Sequence, residues 1–222
     1  MKIGIITYNK PHYKTQELIY GLYSRGYKNI TLIIKKFLNF KNKKFKNYFN
    51  HRPNEFIGCT PFEISKYYNF KVRDLENKNC YKNLDIVLIG GSSIINQNKI
   101  EKNLILNSHS GLIPETRGLD SFKWAILKKR KVGGTLHFID KTVDKGNIIF
   151  HQITPSYKSD TLELLSKRHY RQEINMLINF ENNLNNSKTM NLPECEPTKR
   201  MSYNYEKQLH KKFQLWKKFY VK

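Results

Sequence analysis

Apolar residues fall into short continuous runs, separated by stretches whose apolar positions recur three or four apart. Residues 2–8 hold Ile3, Ile5 and Ile6 in a β-branched run, the texture of a strand buried on both faces. Residues 14–28 set Leu18, Leu22 and Tyr23 on one helical face and end at Gly26. Residues 29–35 and 84–90 are further apolar runs. Strand, helix and strand in that order predict right-handed crossovers and an α/β, doubly wound, mostly parallel sheet. Residues 104–106, 134–139 and 146–154 predict more strands. Residues 61–69, with Pro at the start, residues 118–131, and a long segment opening at Ser159-Asp160-Thr161 read as helices. Residues 182–191 are polar and low in complexity, a linker. Residues 205–220 carry Leu209, Phe213, Trp216 and Tyr220 on one stripe, a last helix that docks on the body or on a second subunit. The expected division is a catalytic domain over residues 1–182 and a linker with a C-terminal helical extension over residues 183–222.

Chemistry concentrates between Leu104 and Asp144. Asn107 and His109 leave an apolar run two residues apart, so on extended backbone both project to one side. If the strand at residues 134–139 is a neighbour, the polar turn after it brings Asp144 over them. An amide donor, a titratable imidazole and a carboxylate that orients it suit acyl transfer. The plainer alternative is that Asn107 and His109 begin one turn and Asp144 another. Gly90-Gly91-Ser92-Ser93-Ile94-Ile95 follows a strand, and small residues there let backbone approach a flat ligand. Ligands of such sheets gather beyond the carboxyl ends of the strands, which makes residues 9–13 a candidate phosphate or substrate wall. That loop has neither a GxGxxG nor a Walker pattern. Lys10 is a candidate anion contact, although an exposed lysine is the ordinary state, and Arg52 is the bidentate-capable anion ligand nearby.

Composition adjusts this picture only in part. The 222 residues suit one domain with a small appendage, and hydrophobic residues at 39% suffice for a core. No run approaches the roughly 18 apolar residues of a membrane helix, and the N-terminus lacks a signal-peptide layout. Cys59, Cys80 and Cys195 are scattered and odd in number, which argues against a disulfide framework or a zinc site and fits a reducing cytoplasm. The net charge of +22 fits a polyanionic partner. Only eight of forty basic residues are Arg, however, and Asn, Ile, Tyr and Phe are abundant. Compositional drift, with some electrostatic benefit for anionic small molecules, accounts for that mixture better. Residues 35–52 hold seven basic and no acidic residues with aromatics interleaved, a pattern that fits an amphipathic surface, a nucleotide-diphosphate pocket or single-stranded nucleic acid.

Asn107-x-His109, Leu112-Ile113-Pro114, Arg117-Gly118, Trp124-Ala125-Ile126, Gly134-Thr135-x-His137 and Asp144-x-Gly146 together resemble the 10-formyltetrahydrofolate-dependent formyltransferase family, over roughly residues 84–153. The resemblance implies a Rossmann-like fold, 10-formyltetrahydrofolate as co-substrate and no metal. It implies Asn107, His109 and Asp144 as the catalytic trio, with His137 in support. It also implies a pterin held by Gly91, Ser92, Ser93 and Ile95 on one side and by Ile139, Asp140 and Asp144 on the other. The family usually has Ser where this chain has Gly111. Its glycinamide ribonucleotide members usually carry a small Gly/Ser-rich loop where residues 9–13 stand. Its methionyl-tRNA members add a β-barrel, whereas the stretch after Gly146 reads mostly helical. The acceptor expected by elimination is a nucleotide-linked amino sugar, such as a dTDP-4-amino-4,6-dideoxyhexose, used for surface glycans. Lys10, Arg52, Arg117 and Tyr203 are the candidate substrate contacts, and the aromatic last helix makes a homodimer an expectation. A non-catalytic RNA-binding module is the reading from a different class.

Overall fold

In a computed structural model, which describes residues 1–37, 48–52, 57–101, 104–140, 147–185 and 195–221, the apolar runs pair as strands of one sheet. They are β1 (Ile3–Tyr8), β2 (Ile30–Lys35), β3 (Lys71–Asp74), β4 (Ile86–Ile89), β5 (Ile105–His109), β6 (Gly133–Phe138) and β7 (Ile148–Ile153). The sheet has seven strands in the order β3-β2-β1-β4-β5-β6-β7. Pairing is parallel from β3 through β5 and antiparallel from β5 through β7. The chain therefore winds outward from β1 in one direction and then returns to wind outward from β4 in the other. The reversal lies between β1 and β4, where ligands of doubly wound sheets bind.

The helices are α1 (Tyr13–Ser24), α2 (Pro61–Tyr68), α3 (Ser121–Leu127), α4 (Leu162–Ile178), α5 (Phe180–Asn185), α6 (Tyr203–Glu206) and α7 (Leu209–Tyr220). On one face of the sheet, Ile3, Ile5, Leu32, Leu88, Leu106 and Leu136 pack with Leu18, Met176 and Leu177 of α1 and α4. The other face buries Ile6, Ile33, Val87 and Ile105 with Leu75, Tyr81 and Ile95. A third cluster joins Phe122, Ala125 and Ile126 of α3 to Leu162 and Leu165 of α4 and to Leu209, Phe213 and Trp216 of α7. The stripe of the last helix thus packs on the body of its own chain. α2 starts on a capping box in which the Glu63 N–H donates to Thr60 Oγ1 at 3.2 Å and the Thr60 N–H donates to Glu63 Oε2 at 2.7 Å.

Three elements differ from expectation. The helix expected over residues 118–131 spans only Ser121–Leu127, because Asp120 (φ 53°) and Lys129 (φ 51°) adopt left-handed backbone at its ends. The last helix divides at Lys207-Gln208 into α6 and α7. β3 went unforeseen because Lys71-Val72-Arg73-Asp74 is a four-residue edge strand that buries little and so shows no apolar alternation. Most of the basic stretch, residues 38–47, and most of the expected linker, residues 186–191, lie outside the described residues.

Candidate functional site

β5 is the strand at which the sheet changes from parallel to antiparallel, and its last residues carry the expected chemistry. In register with β6, Asn107 faces His137 and His109 faces Thr135. Alternation along β5 puts Asn107 and His109 on one face and Ser108 on the other.

Hydrogen-bond partners place a proton on one ring nitrogen of each imidazole. His137 Nδ1 lies 3.1 Å from the Phe138 carbonyl. A carbonyl oxygen only accepts, so Nδ1 carries the proton, and Nε2 accepts from the Asn107 amide at 3.3 Å. That bond fixes which end of the Asn107 side chain is the donor. His109 Nε2 stands 3.0 Å from the Thr116 carbonyl and 3.1 Å from Ser121 Oγ. Ser121 Oγ itself donates to the Gly118 carbonyl at 2.7 Å. His109 Nε2 is therefore an N–H, shared between two acceptors. The two rings are nearly perpendicular, with centroids 6.4 Å apart.

The turn supporting His109 is tied at several points. Thr116 N–H donates to the Leu112 carbonyl at 2.8 Å, and Leu112 N–H donates to Thr116 Oγ1 at 2.9 Å. Buried Thr135 Oγ1 donates to the Gly111 carbonyl at 2.7 Å and accepts from Ile113 N–H at 3.0 Å. A Cβ on Gly111 would stand 2.1 Å from the Thr116 carbonyl oxygen and 2.7 Å from Ser121 Cβ. The glycine is a requirement of this turn.

Asp144 lies outside the described residues, with the rest of 141–146. Ile139 and Asp140 lead toward it half-buried, and Ile139 N–H donates to the Ile105 carbonyl at 2.8 Å, so the chain leaving β6 stays beside β5. The loop after β4 is anchored on β1, where Gly90 and Gly91 N–H both donate to the Ile6 carbonyl at 3.0 Å. A Cβ on Gly91 would lie 2.7 Å from His12 Nδ1, so this loop and the one after β1 touch. Ser92 Oγ donates to the Ser93 carbonyl at 2.6 Å, and Ile95 is buried in the cluster against which Ile139 packs. Among the described residues no group of three or more His, Cys, Asp or Glu could hold a metal ion, and no helix is long and apolar enough to cross a membrane.

The candidate substrate contacts divide. Arg52 Nη2 stands 2.7 Å from Glu173 Oε2, with its side chain 44% exposed against 1% for the glutamate. Its guanidinium lies over the Tyr170 ring at 5.3 Å. Lys10 is exposed, with Nζ 3.3 Å from the Phe37 ring centroid. His12 is held down to about 4 by burial and by the charges of Lys14, Arg52 and Lys10. These residues thus gather positive charge around His12, in the loop after β1. Lys14, on the opposite face of β5, donates to Ser108 Oγ at 2.9 Å, and burial lowers it to about 8. Arg117 is placed differently from the expectation: it is 9% exposed, and its Nη1 donates to the Cys195 carbonyl at 2.9 Å. Its own carbonyl accepts from Thr198 N–H at 2.7 Å. The physical reason is a parallel bridge between Gly118 and Thr198, which lays the C-terminal segment along this turn. Tyr203 opens α6 with its ring edge-to-face on Tyr48 at 5.7 Å.

Sequence reasoning passed over Lys14, Ser121 and Glu173. For Glu173 a signal existed, since it lies four residues from both His169 and Leu177 on the face of α4 that packs inward. His169 is 1% exposed and meets Thr154 Oγ1 at 2.8 Å.

A family model described as formyl transferase matches residues 34–180. The trifunctional purine biosynthetic protein adenosine-3 of Chironomus tentans is 38% identical over 68 residues, 30% of this chain and 5% of that protein. Phosphoribosylglycinamide formyltransferase of Haemophilus influenzae is 30% identical over 94 residues, 40% of this chain and 44% of that one. The chain spans less than half the length of the curated relatives it matches. The crystal structure of an N-formyltransferase from Helicobacter canadensis, in complex with folinic acid and dTDP-3-aminofucose, superposes with a TM-score of 0.61 at 18% identity, covering 96% of this chain and 80% of that one. That likeness is one of fold.

Proposed function

The chain belongs to the formyl transferase family, and from that premise we propose that it transfers a formyl group from 10-formyltetrahydrofolate to the primary amine of a nucleotide-linked amino sugar. The observation that carries the chemistry is the pairing of Asn107 and His109 on one face at the end of β5, each with its donor atom fixed by a partner. The amine nitrogen attacks the formyl carbon and forms the new C–N bond, leaving a tetrahedral oxyanion. The Asn107 amide donates to that oxyanion, a contribution typically worth about 10²–10³ in rate. His109 takes the proton from the attacking nitrogen. Collapse breaks the bond from the formyl carbon to the folate nitrogen, which receives a proton as it leaves. Asp144 is proposed to orient His109 and to pass that proton, and residues 91–95, 139 and 140 to border the pterin.

The acceptor is inferred from charge. Arg52 and Lys10, whose charges both act on His12 in the loop after β1, would meet a diphosphate with an exposed guanidinium and an ammonium. The neighbouring fold from Helicobacter canadensis, which holds folinic acid and dTDP-3-aminofucose, supports this reading. A second reading, glycinamide ribonucleotide as acceptor, has the matched phosphoribosylglycinamide formyltransferases in its favour. Incubation with 10-formyltetrahydrofolate and a panel of nucleotide amino sugars tests the choice through tetrahydrofolate release. Release with an amino sugar supports the reading; release with glycinamide ribonucleotide alone overturns it in favour of the second.

A further inference from the structure

The segment Tyr48–Arg52 is held along its whole length by groups far away in sequence. At its start the backbone N–H groups of Tyr48 and Phe49 both donate to Oε2 of Glu206, at 2.5 and 3.2 Å. Glu206 belongs to α6, in the C-terminal extension. Its Oε1 accepts from Nζ of Lys123, on α3, and both side chains are at most 2% exposed. Midway, the rings of Phe49 and His51 stack on Phe122 at 6.4 and 5.9 Å. At the end, Glu173 of α4 receives Arg52.

This arrangement is costly unless it is complete. Burying a carboxylate and an ammonium carries a large desolvation penalty, and removing one partner of such a pair strands the other charge in the core. An apolar side chain would pack against α3 without that penalty, but it would leave two backbone N–H groups without their acceptor. The carboxylate is therefore explained by what it does for the segment that ends in Arg52.

We infer that Glu206 is a positioning residue for Arg52, so that the C-terminal extension takes part in recognising the diphosphate of the acceptor. The inference rests on the acceptor reading above. Glu206 sets where the segment begins, and Glu173 sets the orientation of the guanidinium where it ends. Donor binding, beyond β4 and β6, does not depend on either.

The test uses the full chain with dTDP as acceptor probe and folinic acid as donor analogue, both by calorimetric titration. The double variant K123M/E206L removes the buried pair at similar volume and deletes the acceptor for Tyr48 and Phe49. It is expected to weaken dTDP about tenfold, which corresponds to about 1.4 kcal/mol, while folinic acid binds as before. K123M/E206Q also loses the ion pair but keeps a carbonyl oxygen for the two N–H groups, and it is expected to bind dTDP as the unaltered protein does. Binding that Arg52→Met weakens and K123M/E206L leaves intact overturns the inference alone. Absence of dTDP binding by the unaltered protein overturns it together with the acceptor reading. A second measurement needs no variant: saturating dTDP is expected to raise amide-exchange protection at Tyr48 and Phe49, and unchanged protection there overturns the inference.

Discussion

Nε2 of His109 stands 3.0 Å from the carbonyl oxygen of Thr116, seven residues along the chain. Because that oxygen only accepts, the contact keeps a proton on Nε2 and orients the ring. His109→Asn is expected to lower kcat by about 10²–10⁴, the usual worth of a general base. Ser121→Ala removes only the second acceptor and leaves the Thr116 carbonyl. It is expected to cost about 1 kcal/mol, roughly fivefold in kcat. Steady-state kinetics on both variants checks the ratio.

Gly111 supports the same contact. A Cβ there would meet the Thr116 carbonyl oxygen at 2.1 Å, so Gly111→Ala pushes away the atom that holds His109. The variant is expected to lose about 1–3 kcal/mol of stability, as overpacked sites do, and to lose kcat beyond what its folded fraction explains. Urea unfolding with turnover measured on the same preparation separates the two effects. Gly111→Ser should behave no better, although serine is the residue that the family resemblance leads one to expect here.

Acid sensitivity follows from buried neutral histidines. Burial holds His169 at about 4 against an ordinary 6.5, and His12 is lowered to about 4 as well. His51 is also pushed well down, by burial first and then by neighbouring positive charges. With folded values below unfolded ones, the unfolded chain takes up protons first on acidification. The stability these histidines contribute is thus fully present above about 6.5 and is lost as pH falls from there toward 4. Lys14, lowered to about 8 from 10.5, acts with the same sign in another window, so stability rises between those values. Urea midpoints measured from pH 7.5 down to pH 5 should fall steadily, and His169→Gln should flatten the slope.

Arg52 keeps 44% of its side chain exposed while Glu173 holds its guanidinium. Arg52→Lys keeps the charge but loses the planar fork that engages phosphate in two bonds. The acceptor KM is expected to rise about tenfold, the equivalent of one charge-assisted hydrogen bond, with kcat nearly unchanged. Initial rates over an acceptor titration at saturating folate check the split.

Much of the fold was legible in the sequence, because parallel strands buried on both faces must be apolar runs, as at β1, β2 and β4. β3 was not, since an exposed edge strand carries no such pattern. Asn107 and His109 could be placed on one face from their spacing alone. The partners that hold His109 could not. Thr116 acts through its carbonyl and Ser121 through a turn, and neither role has a residue-type signature. Glu206 and Lys123 lie 83 residues apart, so only the folded chain brings them together. Arg117 illustrates the converse: a motif position fit for an anion is occupied instead by the C-terminal segment of the same chain.

The central claim, formyl transfer at the Asn107–His109 face of β5, is tested most directly by following the formamide product and tetrahydrofolate together. The assay uses 10-formyltetrahydrofolate with a dTDP-linked amino sugar, for the unaltered protein and for Asn107→Ala. The expected result is stoichiometric formamide and tetrahydrofolate from the unaltered protein, with a rate about 10²–10³ lower in the variant and little change in the KM for folate. Equal rates in the two proteins, or tetrahydrofolate formed with no formamide on the amino sugar, would contradict it.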